Sequence, residues 1–168
     1  DEVKALNEET GDNLPDNGWV KQLTVQDIST NASIYLDLTL DKLIDGTTSN
    51  YTALSGAAPR EILLDLGQVY DLETVVLYQR TGSANDTKYL KITMSEEYID
   101  LADAASRKLI HYDEEGDGFT QGAVPNYMKV DMSDGNNQAR YVYLTSSNSS
   151  LLVINEFKIF GKAITTQE

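Results

Sequence analysis

The 168-residue chain has no cysteine. Thiol nucleophiles, thiolate metal sites and disulfides are therefore excluded. Small secreted animal domains commonly lean on disulfides, so this composition fits a bacterial or cytosolic origin better. There is one histidine, His111, inside a strand-like run. With no second histidine or cysteine to work with, it reads first as structural or exposed and only then as catalytic. Basic residues are scarce, 13 Lys and Arg against 27 Asp and Glu, for a formal net charge of −14. A nucleic-acid binder needs a basic footprint, and none is present. No apolar run reaches 18 residues, so membrane insertion through a helix is not expected.

Catalytic signatures are missing as well. No G-x-S-x-G elbow, H-E-x-x-H helix or phosphate-binding glycine loop occurs, and no carboxylate pair stands out for glycoside hydrolysis. The stretch DEEGDG, residues 113–118, imitates the start of an EF-hand loop through Asp113, Glu115, Asp117 and Gly118. Its twelfth position is Val124 where a bidentate Glu belongs, and flanking helices are absent. It reads as an acidic hairpin turn. The chain is not expected to be an enzyme.

What is present is a succession of short runs with period-two alternation. EILLDL places Ile62, Leu64 and Leu66 on one face; KYLKITM does the same with Leu90, Ile92 and Met94, and YMKVDM with Met128, Val130 and Met132. ETVVLYQ, RKLIHYD, ARYVYLT and LLVINEFKIF complete the set, with GQVYD, TGSAND and SDGNN between them as turns. Such runs predict an antiparallel sandwich or barrel. EEYIDLADAAS, residues 96–106, reads as a short helix or turn capped by Ser95. The hydrophobic fraction, 40%, suffices for one core and not for two. Residues 1–18 are acidic and polar and lack the pattern of a signal or transit peptide. They read as an arm or linker, residues 19–163 as the domain and 164–168 as a tail. The four N-x-[ST] sequons, at Asn31, Asn50, Asn85 and Asn148, read as exposed polar loops.

The stretch KLIDGTTSNY, residues 42–51, crowds Asp, Thr, Ser and Asn side chains into one turn. It is either an ordinary surface loop or half of a cage for a hard cation. Far downstream, Glu156 interrupts the apolar run INEFKIF; its readings are a metal ligand or a partner of a Lys or Arg.

IDG before that turn, then P-x-x-I-x-L-D-L-G, a strand ending in Tyr78 and Arg80, K-Y-L-K-I-T-M-S, A-R-Y-V-Y-L and a closing I-N-E-F-K-I-F-G follow one another over residues 40–161. In order and spacing they resemble the discoidin, or factor V/VIII C-type, domain. Within that superfamily they are most similar to the family 32 carbohydrate-binding modules of bacterial glycosidases and adhesins. The resemblance implies an all-β fold, an eight-stranded antiparallel jelly-roll sandwich with at most a short helix. It implies a structural calcium held by the carbonyls of Lys42, Thr47 and Asn155, the carboxylates of Asp45 and Glu156, and Asn50 where the family usually has Thr. Mixed carbonyl and carboxylate oxygens suit calcium, and Gly46 permits the tight bend.

The resemblance further implies a ligand site in rim loops, with Arg80 and Asn85 at matching positions and Tyr51 as the aromatic beside them. Arg80 would hold a sugar hydroxyl or carboxylate; an exposed arginine is also a plain solvated charge. Thr52 and Ala53 stand where the family often has Trp and His, and Trp19, Tyr78, Tyr112 and Tyr127 are the remaining candidate aromatics. The expected function is a non-catalytic carbohydrate-binding module in a larger chain, extracellular, secreted or on a bacterial cell surface, binding a galactose-like or related glycan. The alternative is an adhesion or protein-interaction module that binds a surface protein on the same scaffold.

Overall fold

The computed structural model describes residues 20–80, 84–118, 127–132, 135–148 and 151–164, and the side chains of all of these except 84 and 85. Trp19, the proposed arm and most of the proposed tail lie outside the described residues. Eleven strands form: β1 (Lys21–Gln22), β2 (Asp27–Thr30), β3 (Ser33–Ile34), β4 (Thr52–Ser55), β5 (Arg60–Tyr78), β6 (Leu90–Ser95), β7 (Lys108–Tyr112), β8 (Tyr127–Asp131), β9 (Gln138–Ser146), β10 (Leu152–Ile154) and β11 (Glu156–Ala163). Eight of them join the larger sheet, in the order β1-β11-β5-β9-β6-β7 with β2 and β8 also on β5; β10-β4-β3 make the smaller one. All pairings are antiparallel, and together they make the jelly-roll sandwich.

β5 is the spine. Its first half is flanked by β2 and β9 and its second by β11 and β8. The sequence predicts two strands here with a turn at GQVYD. The chain instead continues as one strand, with a register shift between Asp65 and Tyr70. Gly67 accommodates the irregularity at φ +86°, and a Cβ there would meet Gln26 Cγ at 2.7 Å. A bulge of this kind lets one strand bend and change neighbours without leaving the ladder. The converse happens at LLVINEFKIF, predicted as one run. It breaks at Asn155 into β10 and β11, which belong to different sheets.

The alternation seen in the sequence is the core. Ile62, Leu64, Leu66, Leu90, Ile92 and Met94 are all buried, and Val75, Leu77, Val142 and Leu144 join them. Leu54, Leu152 and Ile154 close this cluster from the smaller sheet. No α-helix occurs among the described residues; three 3₁₀ turns do, at Leu40–Leu43, Ala84–Thr87 and Leu101–Ser106. The expected helix near residue 96 is thus only the last of these. Ser95 ends β6 rather than capping it, and its hydroxyl bonds the Tyr143 hydroxyl and the Glu97 carbonyl.

Segment 96–107 folds over the outer face of β6 and β9 through a buried ion pair. Arg107 Nη1 donates to Glu61 Oε2 at 2.5 Å, with the Arg107 side chain fully buried. Its other nitrogens donate to the Ile99 carbonyl, and its guanidinium stacks 3.6 Å from the Tyr143 ring centroid.

Candidate functional site

The oxygen-rich loop is positioned by the turn before it. Leu43 is fully buried and anchors the 3₁₀ turn, so the chain emerges at Asp45 from a fixed point. Gly46 takes φ +85° with open space around it; conformation, not crowding, selects glycine there. Asp45 Oδ1 accepts the Thr47 N–H at 3.0 Å and Oδ2 accepts the Asn50 amide at 2.8 Å. Burial pushes the Asp45 carboxyl up, but the hydrogen bonds from Asn50 and Thr47 outweigh it and leave the group below the ordinary carboxylate range.

The loop faces the junction of β10 and β11. Glu156 Oε2 accepts the Gly46 N–H at 3.0 Å, and Asn155 Nδ2 donates to the Thr48 carbonyl at 2.8 Å. Glu156 is 1% exposed. Burial, and then the neighbouring Asp45 carboxylate, push its carboxyl up to about 8 against the pull of the Gly46 hydrogen bond. Glu156 Oε1 and Asn155 Oδ1 are buried with no hydrogen-bond partner. No Lys or Arg of the described residues pairs with Glu156; Lys158 instead lies over the Tyr78 ring at 5.4 Å.

Asp45, Thr47 and Asn50 are thus linked within the loop, Asn155 and Glu156 reach it from the β10–β11 junction, and Lys42 stands in the 3₁₀ turn just before it. Two carboxyl groups meet there, and two buried oxygens lack donors. A cation held at this point fits that donor set. Among the described residues no group of three or more His, Cys, Asp or Glu gathers, so carbonyl and amide oxygens would complete the shell. Asn50 differs from expectation in one respect: it turns its N–H, not its oxygen, toward Asp45, because a bare carboxylate is satisfied by a donor.

Beside this loop stands a second group. Arg80 grips Asp86 with both arms, Nε to Oδ2 at 2.9 Å and Nη2 to Oδ1 at 3.0 Å, while 42% of its side chain stays exposed. Its guanidinium lies 5.3 Å from the Tyr51 ring centroid. Asp86 sits in the 3₁₀ turn Ala84–Thr87, which Thr87 ties to Gln79, just past the end of β5, through a hydrogen bond. The two groups share their supports. Tyr51 follows Asn50 directly, and the Tyr78 carbonyl, two residues before Arg80, accepts the Asn155 N–H. Sequence reading missed Asp86, since a six-residue spacing from Arg80 carries no periodic signal. Asn85 lies in the same turn; its side chain is outside the described residues.

The remaining candidates disperse. Thr52 and Ala53 are each 1% exposed in β4 and face no solvent. Tyr127 stacks on Tyr78 at 5.6 Å between centroids. His111 lies in β7 opposite Ile92; burial holds it below its ordinary value, with Asp113 opposing. Asp113 organises its own turn by accepting the N–H groups of Asp117, Gly118 and Tyr89. That accounts for the EF-hand-like pattern without a metal; Val124 lies outside the described residues.

No family model matches the chain, and no curated protein matches it. Solved structures do. A family 32 carbohydrate-binding module from a family 31 glycoside hydrolase of Clostridium perfringens aligns with 18% identity and TM-score 0.61, over 80% of this chain and 94% of that one. Another family 32 module from the same organism, solved with GalNAc-β-1,3-galactose, aligns with 14% identity and TM-score 0.59, over 79% and 93%. A fucolectin from striped bass (Morone saxatilis) serum aligns with 12% identity and TM-score 0.66, over 88% of this chain and 51% of that one. The chain therefore has the galactose-binding-domain-like, discoidin-type fold of these carbohydrate-binding modules.

Proposed function

We propose that this domain is a non-catalytic carbohydrate-binding module of a secreted or cell-surface bacterial protein, one part of a larger chain. The observation that carries this reading is the Arg80–Asp86–Tyr51 group. A guanidinium fixed by a carboxylate and left half open beside an aromatic ring is suited to gripping a sugar: directional donors for hydroxyls and an apolar face for the ring. The neighbours of the same fold include a module solved with a galactose-containing disaccharide and a fucolectin, by their descriptions. A module of this kind acts by raising the local concentration of substrate for its partner domains, not by chemistry of its own.

The same reading assigns calcium to the adjacent loop. Asp45 and Glu156 would supply its negative charges. The carbonyls of Lys42, Thr47 and Asn155, and the Asn50 amide turned to present oxygen, would supply the rest. Its contribution would be structural, tying the early loop to the β10–β11 junction.

A glycan array of the wild-type domain and of Arg80→Ala tests the proposal. Galactose- or fucose-terminated hits that disappear in the variant are the expected outcome. The burial of Thr52 and Ala53, at the positions where the family often has Trp and His, favours a second reading, in which the rim engages a surface protein instead. An array silent for both proteins, with a specific surface protein retained on the wild-type domain, would establish it.

A further inference from the structure

A separate pocket lies on the outer face of the larger sheet. Strand register builds its floor: Tyr112 of β7, Lys91 of β6 and Thr145 of β9 stand side by side in one row across the three strands. Thr93, two residues along β6, extends this floor. Arg107 and Ala104 from the covering segment form one wall, and Tyr89 and Ser147 another. Its volume is about 140 Å³. Cavities for drug-sized ligands run to roughly 300–1,000 Å³, so this one suits a single ring, not an oligomer.

Three features mark the pocket as built. Tyr89 adopts φ 60°, a left-handed conformation that bulky residues seldom take. It is held there by its N–H bond to Asp113 and by Gly116, whose Cα its ring covers so closely that a Cβ would fall 2.2 Å from Tyr89 Cζ. Backbone held in a rarely used conformation by its surroundings concentrates at ligand sites. Thr93 is 4% exposed, yet its hydroxyl has no hydrogen-bond partner. A buried hydroxyl without a partner is costly; one that lines a cavity is satisfied by whatever enters. Finally, the Lys91 ammonium lies 4.5 Å from the Tyr112 ring centroid and pairs with no carboxylate among the described residues.

Charge identifies the occupant. The chain carries a formal −14, but no Asp or Glu lines this pocket. The Arg107 charge is answered by Glu61 behind it, which leaves Lys91 as the cation facing the cavity. Tyr89 and Tyr112, about 40% and 38% exposed, offer ring faces to an apolar sugar face. The hydroxyls of Thr93, Thr145 and Ser147 offer hydrogen bonds to its rim. We propose that this pocket binds the terminal residue of an acidic glycan, a hexopyranose bearing a carboxylate, with Lys91 on the carboxylate and Thr93 on a ring hydroxyl. It shares no lining residue with the Arg80 group, so it stands whether or not that group binds sugar.

The test is titration of the ¹⁵N-labelled domain with sodium D-glucuronate and D-galacturonate, against methyl glucoside and methyl galactoside, followed by amide shifts. Saturable shifts at Lys91, Thr93, Tyr112 and Thr145 are expected with the uronates alone, weakening at high salt. Lys91→Met should lower affinity about tenfold or more, the loss expected of one charged hydrogen bond, and Thr93→Val should weaken it less. Arg80→Ala should leave these shifts intact. No shift at these amides up to the solubility limit, an equal response to the neutral glycosides, or full affinity in a folded Lys91→Met would each overturn the assignment.

Discussion

The side chain of Glu156 accepts a hydrogen bond from the backbone N–H of Gly46, 110 positions earlier in the chain, at 3.0 Å. This contact clasps the oxygen-rich loop to the start of the last strand. It also brings the exposed Asp45 carboxyl against the buried Glu156 carboxyl, where like charges repel unless a proton or a cation lies between them.

Calcium should therefore stabilise the domain. At a free concentration about a hundred times its dissociation constant, a ligand of the folded state alone adds about 2.7 kcal/mol. For a domain of this size that corresponds to a rise in Tm of roughly 5–11 °C. Melting in EDTA and then with calcium restored measures it. An identical melt in both conditions would remove calcium from the loop.

Without metal, the same pair predicts a pH dependence. The folded Glu156 carboxyl titrates at about 8, above its ordinary 4.5, so between these values the folded state holds a proton that the unfolded chain releases. Its stabilising contribution is complete below about pH 4.5 and is lost as pH rises toward and through 8. In EDTA the domain should melt lower at pH 8 than at pH 5.5, and Glu156→Gln, which keeps the acceptor for Gly46, should flatten that slope. A wild-type melt that rises over this window would contradict a raised Glu156 carboxyl.

Breaking the Glu61–Arg107 pair should be among the costliest single changes. The Arg107 side chain is fully buried and that of Glu61 9% exposed, and removing one partner strands the other charge. Glu61→Leu or Arg107→Met alone should each cost about 3–5 kcal/mol, and the double replacement markedly less than their sum. Urea titrations of the four proteins give the coupling; additive losses would mean that the pair is not a unit.

Gly116→Ala should displace the Tyr89 ring, because the new methyl would occupy its place and the backbone holds φ +73°. A cost on the order of 1–3 kcal/mol is expected, along with changed amide shifts at Tyr89 and Asp113. Unchanged shifts would show that the turn does not support the ring.

The sequence by itself determined the core and most of the strands. Alternation at Ile62, Leu64 and Leu66, or at Leu90, Ile92 and Met94, reports which side chains water rejects, and that preference is local. Where the pattern misled, at GQVYD and at LLVINEFKIF, the outcome turned on which strands lay alongside. A glycine bulge that bends a strand and a turn that ends one read alike in one dimension. The oxygen-rich loop was legible as unusual, and the resemblance proposed its distant partner, but only folding carried Glu156 to Gly46. Asp86 as the clamp on Arg80, Glu61 as the counterion of Arg107, and Thr93 with its unanswered hydroxyl were invisible beforehand. Electrostatic pairing and hydrogen-bond satisfaction depend on distances of a few ångströms between segments far apart in the chain, and those distances are set by sheet register, which no single segment encodes.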